Sequence, residues 1–318
     1  MKRIMVVGAA GQIGSEMVPF LRGIYGNSNV VACDLRDDVQ PELKESGPYE
    51  LLDALEIAKY EDLLKKYKID TIFNLVAVLS AKGEENPVFA WKINMGALFN
   101  SLELARVYKC AVFTPSSIGA FGKSTPPNGT PQDTIMRPTT IYGVSKVAAE
   151  LLADYYYLKF GVDSRGVRYP GIISNVTLPG GGTTDYAVEI FYKAILEKHF
   201  TCNLKPGTFL DMMYMPDALK AVVMLMEADP AKLKHRNCFN ITAMSFEPET
   251  LAAEIRKHIP EFTMDYEIDP IRQEIADSWP NWMDDSAARE EWGWQPDYDL
   301  PSMTEDMINV LSKKLLGV

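Results

Sequence analysis

Hydrophobic and polar positions follow a regular succession along the first half of the chain. Short, almost wholly apolar runs predict buried strands at residues 4–7, 30–33, 71–76, 111–114 and 164–168. Between these runs, apolar residues recur every three to four positions, which predicts amphipathic helices near residues 13–24, 57–64, 93–107 and 142–160. Strands that alternate with helices are joined by right-handed crossovers, so we expect a parallel sheet covered by helices on both faces.

The second half of the chain is less regular. A Gly/Pro-rich loop at 179–182 precedes a predicted helix at 185–198, another helix is predicted to begin at Pro216, and short helices and turns rich in Trp and Pro follow residue 241. We expect an α/β fold with a doubly wound parallel sheet in residues 1–175, to which 208–241 return, and a smaller α+β lobe formed by 176–207 and 242–318. Ligands should bind in a cleft at the carboxyl ends of the parallel strands.

Composition narrows the class of protein. The 318 residues carry a net charge of −11 and 47% apolar side chains, values typical of a globular chain that repels nucleic acid and anionic membranes. No apolar run reaches the roughly 18 residues of a membrane-spanning helix, and the first run is too short for an export signal, so we expect a cytoplasmic protein. Four widely spaced cysteines and three histidines form no metal-binding motif, so we expect reduced thiols and no metal site.

Three glycines follow the first predicted strand and open the first predicted helix. Gly8, Gly11 and Gly14 have the spacing of a loop whose tight turn brings backbone N–H groups up to a pyrophosphate. Asp34 ends the second predicted strand, where a carboxylate would accept hydrogen bonds from both ribose hydroxyls and repel a 2′-phosphate. The pattern predicts a site for NAD rather than NADP; the alternative is a tight structural turn beside a solvated Asp.

Other candidate contacts to the cofactor lie close to these positions or on later strands. Asp53 is a candidate acceptor for the adenine amino group, although it could instead cap the following helix. Residues 75–77 end the strand predicted at 71–76 and would pass under the adenosine. The full set of additional candidates is Gln12, Ile13, Leu35, Arg36, Ala54, Leu75, Ala77, Tyr169 and Ile172.

A serine, a tyrosine and a lysine form the candidate catalytic group. Tyr142 and Lys146 are four residues apart and would share one face of a helix, and Ser117 follows the strand at 111–114, at the same sheet edge. A neighbouring ammonium and the positive nicotinamide ring would lower the pKa of the phenol from about 10, so that Tyr142 could take an alcohol proton. Lys146 would also bind the nicotinamide ribose. The alternative is an amphipathic surface pair.

The same tyrosine–lysine spacing recurs at Tyr155 and Lys159, so spacing alone does not identify the site. The two tyrosines are 155 − 142 = 13 residues apart, which places them about 220° apart around a helix. The second pair therefore cannot serve the same site, and its position favours a surface role.

Together these residues resemble the extended short-chain dehydrogenase/reductase superfamily, over essentially the whole chain. The resemblance rests on Gly8, Gly11, Gly14, Asp34, Asp53, Asn94, Ser117, Tyr142 and Lys146. It implies a Rossmann-type fold that binds NAD, a smaller substrate-binding lobe, and a homodimer joined by a four-helix bundle. It also implies a role for Asn94 beside the cofactor, in the fold and in the proton relay of the lysine.

Longer stretches resemble the metal-independent, short-chain family of L-threonine 3-dehydrogenases within that superfamily. They lie at 8–16, 74–84, 114–122, 168–173, 179–186, 211–218 and 284–294. This resemblance implies oxidation of L-threonine by NAD at its 3-hydroxyl to 2-amino-3-ketobutyrate, with Tyr142 as base. It implies substrate contacts from Ser80, Ser117, Tyr142 and Thr184; Thr183 is a further short donor that suits a carboxylate.

Other interpretations remain open from the sequence. A nucleotide-sugar epimerase or dehydratase of the same superfamily usually carries an arginine for the sugar diphosphate where this chain has Leu210, which speaks against that function. A dinucleotide-binding redox regulator would not need the serine, the tyrosine and the lysine together. The loop at 180–184 either closes over a substrate or is a plain connector. Packing is favoured for the tryptophans of the tail, Trp279, Trp282, Trp292 and Trp294.

Overall fold

The computed structural model describes residues 1–178, 180 and 182–317; Pro179 and Gly181 of the predicted loop, and Val318, lie outside the described residues. The strands are β1 (Ile4–Val7), β2 (Val30–Asp34), β3 (Tyr49–Leu51), β4 (Thr71–Asn74), β5 (Ala111–Phe113), β6 (Ser116–Ser117), β7 (Asn128–Thr130), β8 (Ser164–Arg165), β9 (Val167–Tyr169), β10 (Gly171–Ile173), β11 (His199–Cys202), β12 (Leu210–Tyr214), β13 (Phe239–Asn240), β14 (Met244–Phe246), β15 (Thr263–Tyr266) and β16 (Trp282–Met283).

The α-helices follow the predicted periodicity closely in the first half. They are α1 (Gln12–Tyr25), α2 (Pro41–Glu45), α3 (Ile57–Tyr67), α4 (Ser80–Glu85), α5 (Pro87–Tyr108), α6 (Ile141–Phe160), α7 (Tyr186–Glu197), α8 (Met215–Glu227), α9 (Pro248–His258), α10 (Pro270–Ala276), α11 (Ser286–Trp292) and α12 (Leu300–Leu316). Within the described residues, no helix is both long enough and apolar enough to cross a membrane.

Six parallel strands form the central sheet, in the order β3-β2-β1-β4-β5-β8. β1 lies in the middle, where Ile4 pairs with Val30 of β2 on one side and with Thr71 of β4 on the other. The strand order reverses at β1, as in a doubly wound fold, and the carboxyl ends of the strands meet at one edge. The predicted α/β fold is confirmed, and its reversal point marks the edge where a ligand is expected.

Neighbouring residues of β1 enter different hydrophobic clusters. Ile4 and Val6 pack with α1 and α8 on one face of the sheet, whereas Met5 and Val7 pack with α3, α5 and α6 on the other. Because both faces are covered, the strands carry continuous apolar runs rather than the alternation of a half-exposed sheet. The four cysteines are free and buried.

The strand predicted at 164–168 divides at Gly166. β8 extends the central sheet, whereas β9 pairs with β6 and β13 in a separate three-stranded sheet. A Cβ on Gly166 would lie 2.4 Å from Cys238 Sγ and 2.5 Å from Thr114 O. The prediction of one strand at 164–168 is therefore wrong. Thr114 and Cys238 pack directly against the backbone of Gly166. Beyond this glycine the chain leaves the central sheet, and β9 pairs with β6 instead.

A second core surrounds α7, α9 and α12 in the carboxy-terminal half. It includes Phe191 of α7, Ile255 of α9 and Met307 of α12, which pack with Tyr214 of β12. Met213, the preceding residue of β12, instead faces the cluster that contains α1 and α8. β12 therefore contributes side chains to both cores and connects the sheet region to the carboxy-terminal helices.

Asp211 is a fully buried carboxyl within β12. Met283 N of β16 donates to its Oδ2 at 2.8 Å, and the Thr242 hydroxyl donates to its Oδ1. Burial raises the pKa of Asp211 from 3.8 to about 8 in spite of these hydrogen bonds. Between those two values the folded protein holds a proton that the unfolded chain releases, so this group makes the free energy of unfolding fall as the pH rises.

We expect Asp211→Asn to weaken this pH dependence, because Asn keeps an acceptor for Met283 N and a donor toward Thr242 but does not titrate. Chemical denaturation at pH values between about 4 and 8 would give the slope of the unfolding free energy for each protein. The wild type should show the steeper fall, and Asp38→Asn, which alters an exposed carboxyl, should match it. Equal slopes for wild type and Asp211→Asn would mean that Asp211 is ionised in the folded state.

Candidate active site

Two adjoining cavities open at the carboxyl edge of the central sheet. The larger cavity has a volume of about 770 Å³ and the smaller cavity about 220 Å³, and Gly8, Gly11, Leu75 and Ala77 line both. Each candidate residue except Asn94 lines at least one of them. Further candidates on the larger cavity are Gln12, Ile13, Gly14, Arg36, Ser80, Ser117, Tyr142, Lys146, Tyr169, Ile172, Thr183 and Thr184; those on the smaller cavity are Asp34, Leu35, Arg36, Asp53 and Ala54.

The glycine loop, residues 8–14, packs tightly against two strands. Gly8 has a φ of +86°, and its N–H donates to Cys33 O of β2 at 2.9 Å. A Cβ on Gly8 would lie 3.0 Å from the carbonyl carbon of Leu75, and one on Gly14 only 2.2 Å from Gly8 O. Side chains are therefore excluded here, and the N-terminus of α1, with no acidic residue in its first turn, faces the space where a pyrophosphate fits.

Asp34 ends β2 beside the glycine loop and is 7% exposed. Its Oδ2 accepts a hydrogen bond from Ala10 N at 2.9 Å, and its Oδ1 accepts from Arg36 N and Nε at 3.1 and 3.2 Å. A carboxylate oxygen can accept more than one hydrogen bond, so both retain capacity for ribose hydroxyls. Asp34 thus holds the glycine loop in place while it lines the smaller cavity.

Asp53 lines the smaller cavity and does not cap α3. Its Oδ1 accepts a hydrogen bond from Leu55 N at 2.9 Å, whereas the N-cap of α3 is Glu56, which makes no capping bond through its side chain. The capping alternative is therefore wrong, and the Asp53 carboxylate keeps capacity to accept a hydrogen bond from an adenine amino group.

Tyr142 lies in the first turn of α6, and Lys146 lies one turn further on. The Lys146 Nζ is 5.4 Å from the centroid of the Tyr142 ring and donates to Pro115 O at 2.6 Å. A Cβ on Gly119 would lie 3.2 Å from Tyr142 Cε1 and 3.5 Å from Ser117 Oγ. The bare backbone of this glycine therefore lies between the serine and the tyrosine, and the three candidate catalytic side chains meet at one wall of the larger cavity.

The second tyrosine–lysine pair lies elsewhere. Tyr155 is 51% exposed and packs edge-to-face against Tyr156 and Phe160 near the end of α6. Neither Tyr155 nor Lys159 lines the larger or the smaller cavity. Of the two pairs, only Tyr142 and Lys146 line the cavity. This agrees with the angle of about 220° that the helical spacing predicts between the two tyrosines.

Asn94 of α5 lies behind the cavity wall. Its Oδ1 accepts from Val78 N at 2.7 Å, and its Nδ2 donates to Val78 O and to Ser145 Oγ, both at 3.2 Å. The Ser145 hydroxyl in turn donates to Tyr142 O at 2.7 Å. Asn94 thus joins the segment after β4 to the first turn of α6, and it fixes the backbone on both sides of the site.

The far end of the larger cavity carries the candidate substrate residues. Ser80 begins α4, and Thr183 and Thr184 precede α7; Ser80 and Thr183 are almost fully buried. Asp185 Oδ2 accepts from Gly182 N at 2.6 Å, so it holds the loop at the start of α7. This end of the cavity thus presents short hydroxyl donors of the kind that bind a carboxylate.

Several residues that line the larger cavity could not be identified from the sequence, and three of them carry polar or aromatic side chains of functional interest. Lys82, Asp185 and Trp279 line the larger cavity. Trp279 lies in the irregular tail, whereas Trp292 and Trp294 of that tail pack in the core with α1 and α8. Residue type alone could not separate these tryptophans, because both uses bury an indole.

Among the described residues, no group of three or more His, Cys, Asp or Glu is placed to hold a metal ion.

Comparison with known proteins identifies the class of protein. Residues 4–241 match the profile of the NAD dependent epimerase/dehydratase family. A protein of Staphylococcus saprophyticus, called an uncharacterized epimerase/dehydratase, is 53% identical over 314 residues, which cover 99% of this chain and 98% of the relative. The chain therefore belongs to the NAD dependent epimerase/dehydratase family, and the predicted use of NAD is confirmed.

Solved structures of L-threonine dehydrogenases are similar to this chain over nearly its whole length. An L-threonine dehydrogenase from Clostridium difficile is 54% identical with a TM-score of 0.97, over 99% of this chain and 98% of that one. One from Phytophthora infestans is 48% identical with a TM-score of 0.95, over 99% and 100% of the two chains. A UDP-glucose 4-epimerase from Thermotoga maritima, 20% identical with a TM-score of 0.84 over 98% and 99%, shares the fold. The resemblance seen in the sequence is confirmed.

We expect Gly14→Ala to weaken NAD binding by roughly tenfold or more, because the added methyl overpacks the contact with Gly8. Gly23→Ala in the same helix is the matched control: nothing lies within 4 Å of its Cβ, and the change should stabilise α1 by about 0.5–1 kcal/mol. Calorimetric titration with NAD and thermal denaturation measure the two effects. Wild-type NAD affinity in Gly14→Ala would contradict the tight approach.

Proposed function

We propose that the chain is an NAD-dependent L-threonine 3-dehydrogenase that forms 2-amino-3-ketobutyrate. The observation that carries the proposal is that Ser117, Tyr142 and Lys146 share one cavity with the glycine loop. The similarity to L-threonine dehydrogenase structures, at 54% and 48% identity over nearly the whole chain, supports the choice of substrate.

Each of the side chains of Ser117, Tyr142 and Lys146 has its own role in the oxidation of the alcohol. Bound NAD supplies a hydride acceptor. Tyr142, as phenolate, takes the proton of the 3-hydroxyl, and Ser117 holds the alcohol oxygen by a hydrogen bond. Lys146 donates one ammonium N–H to Pro115 O, which leaves two N–H groups to bind the ribose of the cofactor. Its ammonium lies beside the Tyr142 ring, 5.4 Å from the ring centroid.

The far wall suits a small zwitterion. Ser80, Thr183 and Thr184 offer hydroxyl donors to the substrate carboxylate. The position where nucleotide-sugar relatives carry a diphosphate-binding arginine is Leu210, which is fully buried in β12. A sugar diphosphate would therefore lack its bidentate partner, which disfavours an epimerase or dehydratase function.

We also propose that the protein is a homodimer. α5 and α6 pack against each other, and large apolar side chains on them remain exposed to solvent. Phe99 is 48% exposed, Tyr155 51%, Leu151 62% and Leu158 80%. An apolar surface of this kind on two adjacent helices is suited to burial against its own copy in a four-helix bundle.

We place the NAD-binding domain at residues 1–175 with 208–241, and the substrate-binding lobe at 176–207 and 242–318. The cleft between them holds the threonine, and the enzyme acts in threonine catabolism in the cytoplasm.

Tyr142→Phe should abolish NADH formation with L-threonine, because Phe cannot accept the proton, while NAD binding should stay within about twofold, since the ring remains. Tyr155→Phe is the matched control and should keep wild-type turnover, since Tyr155 lies outside the cavity. Absorbance assays and NAD titration measure both. Substantial turnover in Tyr142→Phe would refute the phenol as base.

Leu151→Glu should shift the protein from dimer to monomer, because a charge on the shared apolar face loses its water on association. Ile271→Glu on α10 changes a side chain that is 70% exposed away from these helices and should leave the dimer intact. Sedimentation equilibrium gives the masses. A monomeric wild type, or a dimer retained by Leu151→Glu, would overturn the assignment of this face.

A further inference from the structure

Two consecutive residues after β5, Pro115 and Ser116, are hydrogen-bonded to side chains on successive turns of α6. Pro115 O accepts a hydrogen bond from Lys146 Nζ at 2.6 Å, and the Ser116 hydroxyl donates to the Glu150 carboxylate. Glu150 is one turn beyond Lys146, as Lys146 is one turn beyond the tyrosine, so the three side chains lie on one face of the helix. The strand that carries Ser117 is therefore attached to the helix of Tyr142 at two points, one through Lys146 itself and the other through Glu150, outside the catalytic group.

Glu150 is neutralised by a buried arginine of the adjacent strand. Arg168 Nη2 lies 2.8 Å from Glu150 Oε2, and the two side chains are 5% and 3% exposed. Arg168 pairs with Ser116 in the β6–β9 register. Its Nη1 also donates to Gln132 O at 2.8 Å and to Asn240 Oδ1 at 2.9 Å. An ion pair held by so many partners is a rigid junction between β6, β9 and α6.

We propose that Glu150 and Arg168 are positioning residues for the reaction, which hold the strand of Ser117 in register against the helix of Tyr142 and Lys146. The inference rests on the proposed role of Tyr142 as base, and it extends that proposal to two residues that touch neither substrate nor cofactor. Neither residue lines the larger or the smaller cavity.

The pair also balances charge beside the catalytic lysine. The charged or titratable groups that interact with it are Asp154 of α6, Asp133 and Cys238, and Lys146 in turn interacts with Cys238. Burial raises the pKa of the Cys238 thiol, so it stays neutral. Glu150 and Arg168 carry opposite formal charges, so the ion pair adds no net charge beside Lys146.

Two substitutions distinguish an effect on the position of the strand that carries Ser117 from an effect on the charge of the Glu150–Arg168 pair. Ser116 lines the larger cavity, and Ser116→Ala removes its bond to Glu150 while it leaves the ion pair in place. Glu150→Gln keeps an acceptor for Ser116 but leaves the Arg168 charge unbalanced, at eight residues or about 12 Å along the helix from Tyr142. That excess positive charge should move the acid limb of the kcat/KM profile to lower pH.

The control is a carboxylate–arginine pair at the opposite end of the sheet. Asp163 Oδ2 lies 2.8 Å from Arg165 Nη2, and the arginine side chain is 4% exposed. Asp163 is 38% exposed and also pairs with Arg236, so Asp163→Asn should cost less stability than Glu150→Gln, and it should move neither turnover nor the titration of Tyr142.

The experiment measures kcat and KM for each protein across pH, and titrates the phenolate absorbance of Tyr142 in the NAD complex, with Tyr142→Phe as blank. We expect Ser116→Ala to lower kcat roughly tenfold, with the KM for NAD within about twofold and the pH profile unmoved. We expect Glu150→Gln to shift both the acid limb of kcat/KM and the phenolate titration to lower pH.

A kcat within about twofold of wild type in Ser116→Ala, an unmoved phenolate titration in folded Glu150→Gln, or equal effects from Asp163→Asn would each overturn the proposal. If Glu150→Gln does not fold, Ser116→Ala decides alone. If the wild type does not turn over threonine, the proposed function fails, and the phenolate titrations still judge the positioning role.

Discussion

The close backbone approach at the glycine loop is the constraint on which the rest of the site depends. Gly14 lets α1 begin against the backbone of Gly8, and Gly8 lets the loop pass against Leu75 at the end of β4. The N-terminus of α1, the carboxylate at the end of β2 and the end of β4 therefore face one space. Because the parallel strands all end at this edge, β6 and the start of α6 meet the same space from the other side.

The acidic character of the chain does not conflict with a site for an anionic cofactor. The net charge of −11 belongs to the whole molecule, whereas the loop acts through N–H groups at short range, where the field of a helix terminus is strongest. The cations on the larger cavity wall, among the described residues, are Arg36, Lys82 and Lys146. They are few and separate, as suits a dinucleotide with a small zwitterion rather than a polyanion.

Much of this could be predicted from the sequence because its causes are local. Strand and helix periods and the glycine spacing follow from neighbours in the chain, and Ser117 and Tyr142 can be placed together because a strand end and a helix start meet at the same sheet edge. The division at Gly166 could not, because its cause is the packing of residues 114 and 238. The same holds for the Glu150–Arg168 junction, since Arg168 also binds Asn240, 72 residues away. Trp279 lines the larger cavity, whereas Trp294 packs in the core, and only the fold decides which of these two positions each residue takes.

The central claim is that this cavity removes the hydrogen of C3 of L-threonine. The most direct measurement is mass spectrometry of the reduced nucleotide formed from NAD and L-threonine deuterated at C3. The account predicts NADH that carries the deuterium, with loss of its formation when Tyr142 is replaced by Phe. No NADH, or NADH without deuterium, would contradict it.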